Sequence, residues 1–215
     1  DVKPVDIILN NVSKTINKSV ILNEINYHFK SGFIYGIKGS NGSGKTMMLK
    51  LISGLLRPTS GEIKISNKIL YKDIDFPESI GILIENPAFM PNLTGLKNLK
   101  CISLIKDKIK TEEIYNIMLD IGLDPNDKRH FKKYSLGMKQ KLGIACAFME
   151  NPDIIILDEP TNALDSESVN KLKELILKYK DNNRIILIAV HENYEIETLC
   201  DKFIYLKDGS LTNEI

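Results

Sequence analysis

The chain has almost no excess of charge: across 215 residues, 29 Lys and Arg stand against 28 Asp and Glu, a formal net charge of +1. No global field draws it to nucleic acid or to an acidic substrate, so any such contact has to be local. Cysteine is scarce. Cys101, Cys146 and Cys200 lie far apart, with neither Cys-x-x-Cys nor His/Cys ligand spacing, which fits free thiols in a reducing compartment. Hydrophobic runs are short: none approaches the roughly 18 apolar residues that span a bilayer, and the opening Asp-Val-Lys-Pro-Val-Asp is not a secretory signal. A cytoplasmic chain is therefore expected. Internal repeats and low-complexity linkers are also lacking, so the chain reads as continuous folded structure. Its length suits one substantial α/β domain or two small subdomains sharing a core.

Against this background one loop stands out. Gly39, Ser40, Asn41, Gly42, Ser43, Gly44, Lys45 and Thr46 form a complete phosphate-binding loop. Its spacing sets several unhindered backbone N–H groups around a polyphosphate, with Lys45 reaching the β/γ-phosphates of ATP and the Thr46 hydroxyl placed to ligate Mg²⁺. The flanks agree. Phe33 to Ile37 reads as a buried strand, and Met48, Leu51, Ile52 and Leu55 recur at i, i+3, i+4 and i+7 of a following helix. The anion then sits at a helix N-terminus, where free N–H groups and the dipole favour negative charge.

Further strands are expected at Ile7–Leu9, Ile25–Phe29, Glu62–Ile65 and Ile80–Ile84. Residues 94 to 150 lack convincing strands and carry helical periodicity: Leu96, Leu99 and Ile102, then Ile114, Ile117, Met118 and Ile121, then Met138, Leu142, Ala145 and Met149. Apolar strands return at Ile154–Leu157 and Ile185–Val190. Between them runs a helix with Val169, Leu172, Leu175, Ile176 and Tyr179 on one stripe, capped by Asp165 or Ser166. That is a βαβ crossover, which implies a parallel sheet buried on both faces.

Ligand groups gather at the carboxyl ends of parallel strands. Asp158 and Glu159 follow Leu157, so both carboxylates arrive at the edge that carries the loop. Asp158 is suited to hold Mg²⁺, and Glu159 lies one step further, toward an attacking water. The strand ending at Val190 delivers His191 to the same edge, where an imidazole can donate to a γ-phosphate oxygen. His28 and His130 have no such placement and read as structural or surface residues.

Taken together these motifs resemble the ATP-binding subunit of ABC (ATP-binding cassette) transporters along essentially the whole chain. Gly39 to Thr46 resembles Walker A, Ile154 to Asp158 resembles Walker B with Glu159 in the catalytic glutamate's place, Asn162 to Asp165 resembles the D-loop, and His191 corresponds to the switch histidine. Tyr134-Ser135-Leu136-Gly137-Met138 is similar to the Leu-Ser-Gly-Gly-Gln signature, with Ser135 and Gly137 matching outright. The resemblance implies an α/β P-loop NTPase with a RecA-like parallel-sheet core, an N-terminal antiparallel β subdomain and a helical subdomain carrying the signature. One domain would cover 1–215, with the helical part at 91–150 and the remainder at 1–90 and 151–215. It also implies hydrolysis of Mg-ATP in a head-to-tail pair, of two copies or of this chain and a close paralogue. In such a pair Ser135, Gly137 and Asp165 touch the ATP held by the other subunit's loop. The power would be delivered to a separately encoded membrane permease, at the inner face of the cell membrane, with no nucleic-acid partner.

Three departures qualify the resemblance. Leu136 and Met138 replace a glycine and the glutamine of the signature, adding bulk beside the trans phosphate contact. Ile16 stands where an aromatic residue stacks on adenine; it packs on the base without a ring. Glu85 takes the place of the Q-loop glutamine and puts a carboxylate near Mg²⁺. Glu85 with the altered signature resembles the subgroup that exports, or gives immunity to, lantibiotics and other bacteriocins. The segment after it, Asn86 to Thr94, resembles the groove that receives a permease coupling helix, with Phe89 and Met90 as contacts; an internal core loop is the alternative. Lys128 to Lys133 reads as a solvated basic loop. A soluble ABC ATPase of protein assembly is the alternative function. A metabolite kinase would need lid arginines, and Arg57, Arg129 and Arg184 do not cluster.

Overall fold

The structure is a computed structural model in which residues 4–190 and 194–213 are described. Strand β1 (Asp6–Ile16) turns through Asn17 and Lys18 and returns as β2 (Ser19–Lys30). Both turn residues have positive φ, 47° and 67°, the two-residue geometry whose twist matches a hairpin. β1 also pairs with β4 (Ser60–Ile65), and β5 (Lys68–Ile69) closes an antiparallel sheet in the order β2-β1-β4-β5. The hairpin is longer than the apolar alternation of 7–9 and 25–29 foretells, because its outer half carries polar residues on an exposed rim.

A second sheet contains β3 (Phe33–Lys38), β6 (Ile80–Leu83), β7 (Ile154–Asp158), β8 (Ile185–Ala189), β9 (Lys202–Lys207) and β10 (Ser210–Thr212). Its order is β10-β9-β3-β8-β7-β6, parallel except for the terminal β9–β10 hairpin. Every residue of β7 and β8 is buried, as expected of strands covered on both faces. Alternation divides them between two cores. Ile154 and Ile156 pack with Ile7, Leu9 and Phe29 of the antiparallel sheet and with helix α1 (Lys45–Ile52), whereas Ile155 and Leu157 pack toward the remaining helices.

Those helices are α2 (Gly95–Ser103), α3 (Thr111–Asp120), α4 (Leu136–Phe148), α5 (Ser166–Tyr179) and the short α6 (Tyr194–Glu197). α4 lies directly on β6. A Cβ on Gly81 would fall 1.7 Å from the Ala147 carbonyl oxygen, so only glycine lets the helix backbone approach this closely. This contact anchors the C-terminal half of α4, and its N-terminus, with Ser135, is aimed from that anchor.

Some boundaries differ from the sequence expectation. Leu55 does not continue α1: the helix ends at Ile52, Gly54 turns left-handed with φ 78°, and Leu55 is 53% exposed. α4 begins at Leu136, ahead of Met138 where its apolar stripe starts, because the Ser135 hydroxyl accepts the Met138 N–H and caps the helix. Asp165, not Ser166, caps α5, its carboxylate accepting the Ser168 N–H at 2.8 Å. β9 and β10 are elements the hydrophobic pattern left unassigned.

Candidate active site

Strand β3 ends at Lys38 and the chain enters the glycine-rich loop. Gly44, at φ 107°, occupies the cap position of α1 without a side-chain bond, which leaves the first helical N–H groups facing the loop. A Cβ on Gly44 would lie 2.6 Å from a methyl of Leu22, so the β1–β2 hairpin rests on the loop. The Lys45 ammonium folds across the mouth, donating to the Gly39 carbonyl at 2.6 Å and to the Ser40 carbonyl at 3.3 Å. Ser43 Oγ is buried without a hydrogen-bond partner. Around these groups is a cavity of about 230 Å³, lined also by Ile21, Met47 and Glu159. The loop and the Lys45 ammonium line one cavity at the start of α1; the arrangement can bind a polyphosphate.

Thr46 Oγ1 donates to Asp158 Oδ2 at 2.8 Å, joining the start of α1 to the end of β7. Asp158 is 9% exposed, and its second oxygen, Oδ1, is buried without a partner. Burial pushes its carboxyl above the usual carboxylate range; the Thr46 hydrogen bond opposes this and the Glu159 charge adds to it. An orphaned carboxylate oxygen beside a hydroxyl is a hard-oxygen pair that fits a small divalent cation such as Mg²⁺. A second cavity, of about 280 Å³, opens on this pair and is bordered by Glu85, Gln140, Glu159 and Asn162.

Glu159 borders both cavities. Its backbone is left-handed at φ 46°, its N–H donates to the Ala189 carbonyl of β8 at 3.0 Å, and its carboxylate accepts from Asn162 Nδ2 at 3.1 Å. Glu85 also borders the Thr46–Asp158 cavity, but its carboxylate is ion-paired to Lys50 of α1 at 2.6 Å.

The remaining expected site residues stand apart from these. Ser135 caps α4, Leu136 beside it is 64% exposed, and Gly137 rests on the D-loop, where a Cβ would come within 2.8 Å of the Ala163 carbonyl oxygen. Neither Ser135 nor Gly137 lines the chain's own two cavities. Asp165 is exposed, and hydrogen bonds from the Ser168 hydroxyl and N–H hold its carboxyl below the usual range. Ile16 sits at the hairpin tip, 39% exposed, while the hairpin's contact with the loop cavity is Ile21. His191 lies outside the described residues. Phe89 meets the Phe131 ring edge-on at 5.2 Å and lines a groove of about 260 Å³ with Ile84, Pro87 and Ile102, and Met90 is 57% exposed. Gln140 and Lys50 are not singled out by the sequence: each is polar and lies in a helix whose motif draws attention elsewhere, and no local pattern foretells their contacts with Pro160 and Glu85, whereas Asn162 opens the D-loop motif and bonds Glu159 within the same turn.

The ABC transporter family model matches residues 22–162. The chain belongs to the ABC transporter family. Its place there is the ATP-binding subunit, an ATPase coupled to transport. It is 43% identical over 201 residues to the uncharacterized ABC transporter ATP-binding protein YybJ of Bacillus subtilis, covering 94% of this chain and 92% of that one. It is 34% identical to the lantibiotic transport ATP-binding protein SrtF of Streptococcus pyogenes, covering 96% and 89% of the two chains. The bacitracin transport ATP-binding protein BcrA of Enterococcus faecalis is also 34% identical, over 95% of this chain and 67% of that one. Among solved structures, the dimeric post-hydrolysis state of the ATP-binding cassette MJ0796 bound to ADP and Pi superposes with a TM-score of 0.85 at 26% identity, covering 97% of each chain.

Proposed function

We propose that this ABC ATPase hydrolyses Mg-ATP between two head-to-tail subunits and drives a separate permease that exports, or gives immunity to, a peptide antibiotic. The observation that carries the hydrolytic reading is the Thr46–Asp158 contact at 2.8 Å, with an orphaned Asp158 oxygen and Glu159 adjoining. Lys45 and the loop N–H groups neutralise the β/γ-phosphates and hold the chain of phosphates in line. Thr46 and Asp158 would hold Mg²⁺, with Glu85 at the cavity's edge, and the bound ion would supply charge neutralisation at the phosphate oxygens. Glu159, held by Asn162, orients the attacking water and accepts its proton. His191, which lies outside the described residues, would donate to the γ-phosphoryl oxygens.

The loop's own cavities are not lined by Ser135, Gly137 or Asp165, which is consistent with these residues serving the nucleotide of the opposite subunit. The dimeric form of the MJ0796 cassette supports the same arrangement. The groove lined by Phe89, with the exposed Met90 following it in the chain, is the surface for the permease, which would hold the chain at the inner face of the membrane. Similarity to bacitracin and lantibiotic transport proteins supports the substrate class. Replacing Glu159 by Gln is expected to lower phosphate release at least about 100-fold and leave nucleotide binding intact; wild-type turnover in that variant would refute the catalytic assignment.

A further inference from the structure

The helix that carries Ser135 and Gly137 is also bonded to the turn that carries Glu159. Gln140, 8% exposed on α4, donates Nε2 to the Pro160 carbonyl at 3.1 Å. Pro160 directly follows Glu159. Three residues earlier on the same helix, Gly137 rests against the Ala163 carbonyl, 2.8 Å from where a Cβ would stand. Within the turn, Asn162 bonds the Glu159 carboxylate at 3.1 Å, and Glu159 and Ala163 are both left-handed, at φ 46° and 62°. Such a backbone persists only where its surroundings over-determine it. The turn is therefore clamped by α4 on one side and by β8, through the Glu159 N–H, on the other.

We propose that Gln140 is a positioning residue for hydrolysis. It registers the Glu159 turn against α4, so that the contact made by the N-terminus of α4 with the opposing subunit's nucleotide sets the aim of Glu159 at its own. The proposal rests on the reading of Ser135 and Gly137 as trans contacts. Its physical basis is short: the Pro160 carbonyl is buried, the Gln140 amide satisfies it, and the next residue back is the one whose carboxylate must face the water. Because near-attack geometry is steep in distance, a slack turn should lower the rate of the chemical step without loosening the nucleotide. A bond that only satisfied a buried carbonyl would instead alter stability and leave kcat alone.

Gln140→Leu keeps the volume and removes the donor. Its expected effect is a kcat about tenfold lower, with the half-saturating ATP concentration within about twofold of wild type. Asn162→Ala, which frees the carboxylate from the other end of the turn, should lower kcat similarly. The double variant should lose little more than either single one, because both act on the same group. A kcat within twofold of wild type in Gln140→Leu, or losses that multiply in the double variant, would overturn the proposal. A second measurement needs neither variant. On adding Mg-ATP to the Glu159→Gln chain, amide hydrogen exchange should slow over 136–143 and 158–165 together; slowing over 136–143 alone would overturn it. A wild-type chain without ATP turnover would refute the proposed function itself, whereas turnover indifferent to Gln140 refutes only this coupling.

Discussion

Replacing Asp158 by Asn should make the nucleotide-free chain more stable while ending its turnover. The wild-type carboxylate is 9% exposed, with one oxygen bonded to Thr46 and the other unpartnered. Leaving a buried acceptor unpaired costs about 1–3 kcal/mol. Asn keeps an acceptor for Thr46 and removes the buried charge, so a gain of about 1–2 kcal/mol is expected, or about 2–8 °C in melting temperature for a domain of this size. The pH dependence supplies a signature. Because burial raises the Asp158 pKa in the folded chain, its ionisation penalises the fold in full above that pKa, and the penalty shrinks as pH falls through it and is gone below the ordinary carboxylate pKa of the unfolded chain. The advantage of the variant should thus be full in mildly alkaline buffer and shrink on acidification toward the ordinary carboxylate range. Thermal melts of both proteins in EDTA across that range test this. Saturating Mg-ATP should reverse the order, because ligand at about 100 times Kd adds about 2.7 kcal/mol only to the protein that binds it. A variant that melts below wild type at neutral pH, or a gap indifferent to pH, would refute the reasoning.

Burial pushes the thiols of Cys146 and Cys200 up to about 12, whereas Cys101 is exposed. Iodoacetamide at neutral pH should therefore label Cys101 first and the half-buried Cys146 and Cys200 far more slowly, as read by peptide mass spectrometry; equal rates at Cys146 would contradict the raised pKa of its thiol. Gly81→Ala places a methyl 1.7 Å from the Ala147 carbonyl, so it should destabilise by about 1–3 kcal/mol or more in a urea titration. An unchanged midpoint would mean that α4 is not seated on β6 as described.

Much of this site could be read before any coordinates. The loop, the strand before it, and Asp158 with Glu159 behind an apolar run are contiguous motifs, and contiguity is what a sequence displays. Parallel topology then brings β3 and β7 to one edge, and the Thr46–Asp158 contact follows from that topology across |i−j| of 112. The bond from Gln140 to Pro160 is of the opposite kind: it is set by how α4 packs on β6, and that packing depends on the absence of a side chain at Gly81 rather than on any periodic stripe, whereas Asn162 stands in the D-loop motif and its bond to Glu159 is local to the turn. The β9–β10 hairpin carries no such motif: the apolar run of β9, Phe203 to Leu206, is bounded by charged residues, and β10 is only three residues long. Glu85 was legible as a carboxylate at the site's edge, but its pairing with Lys50 depends on where the turn after β6 places it.

The central claim is that Gly39 to Thr46 forms half of a site completed by the signature of a second subunit. Multi-angle light scattering of the Glu159→Gln chain tests it most directly. The account predicts a doubled mass with Mg-ATP, a single mass with Mg-ADP, and no doubling when Ser135 is also replaced by Arg. A chain that binds Mg-ATP and stays single would contradict it.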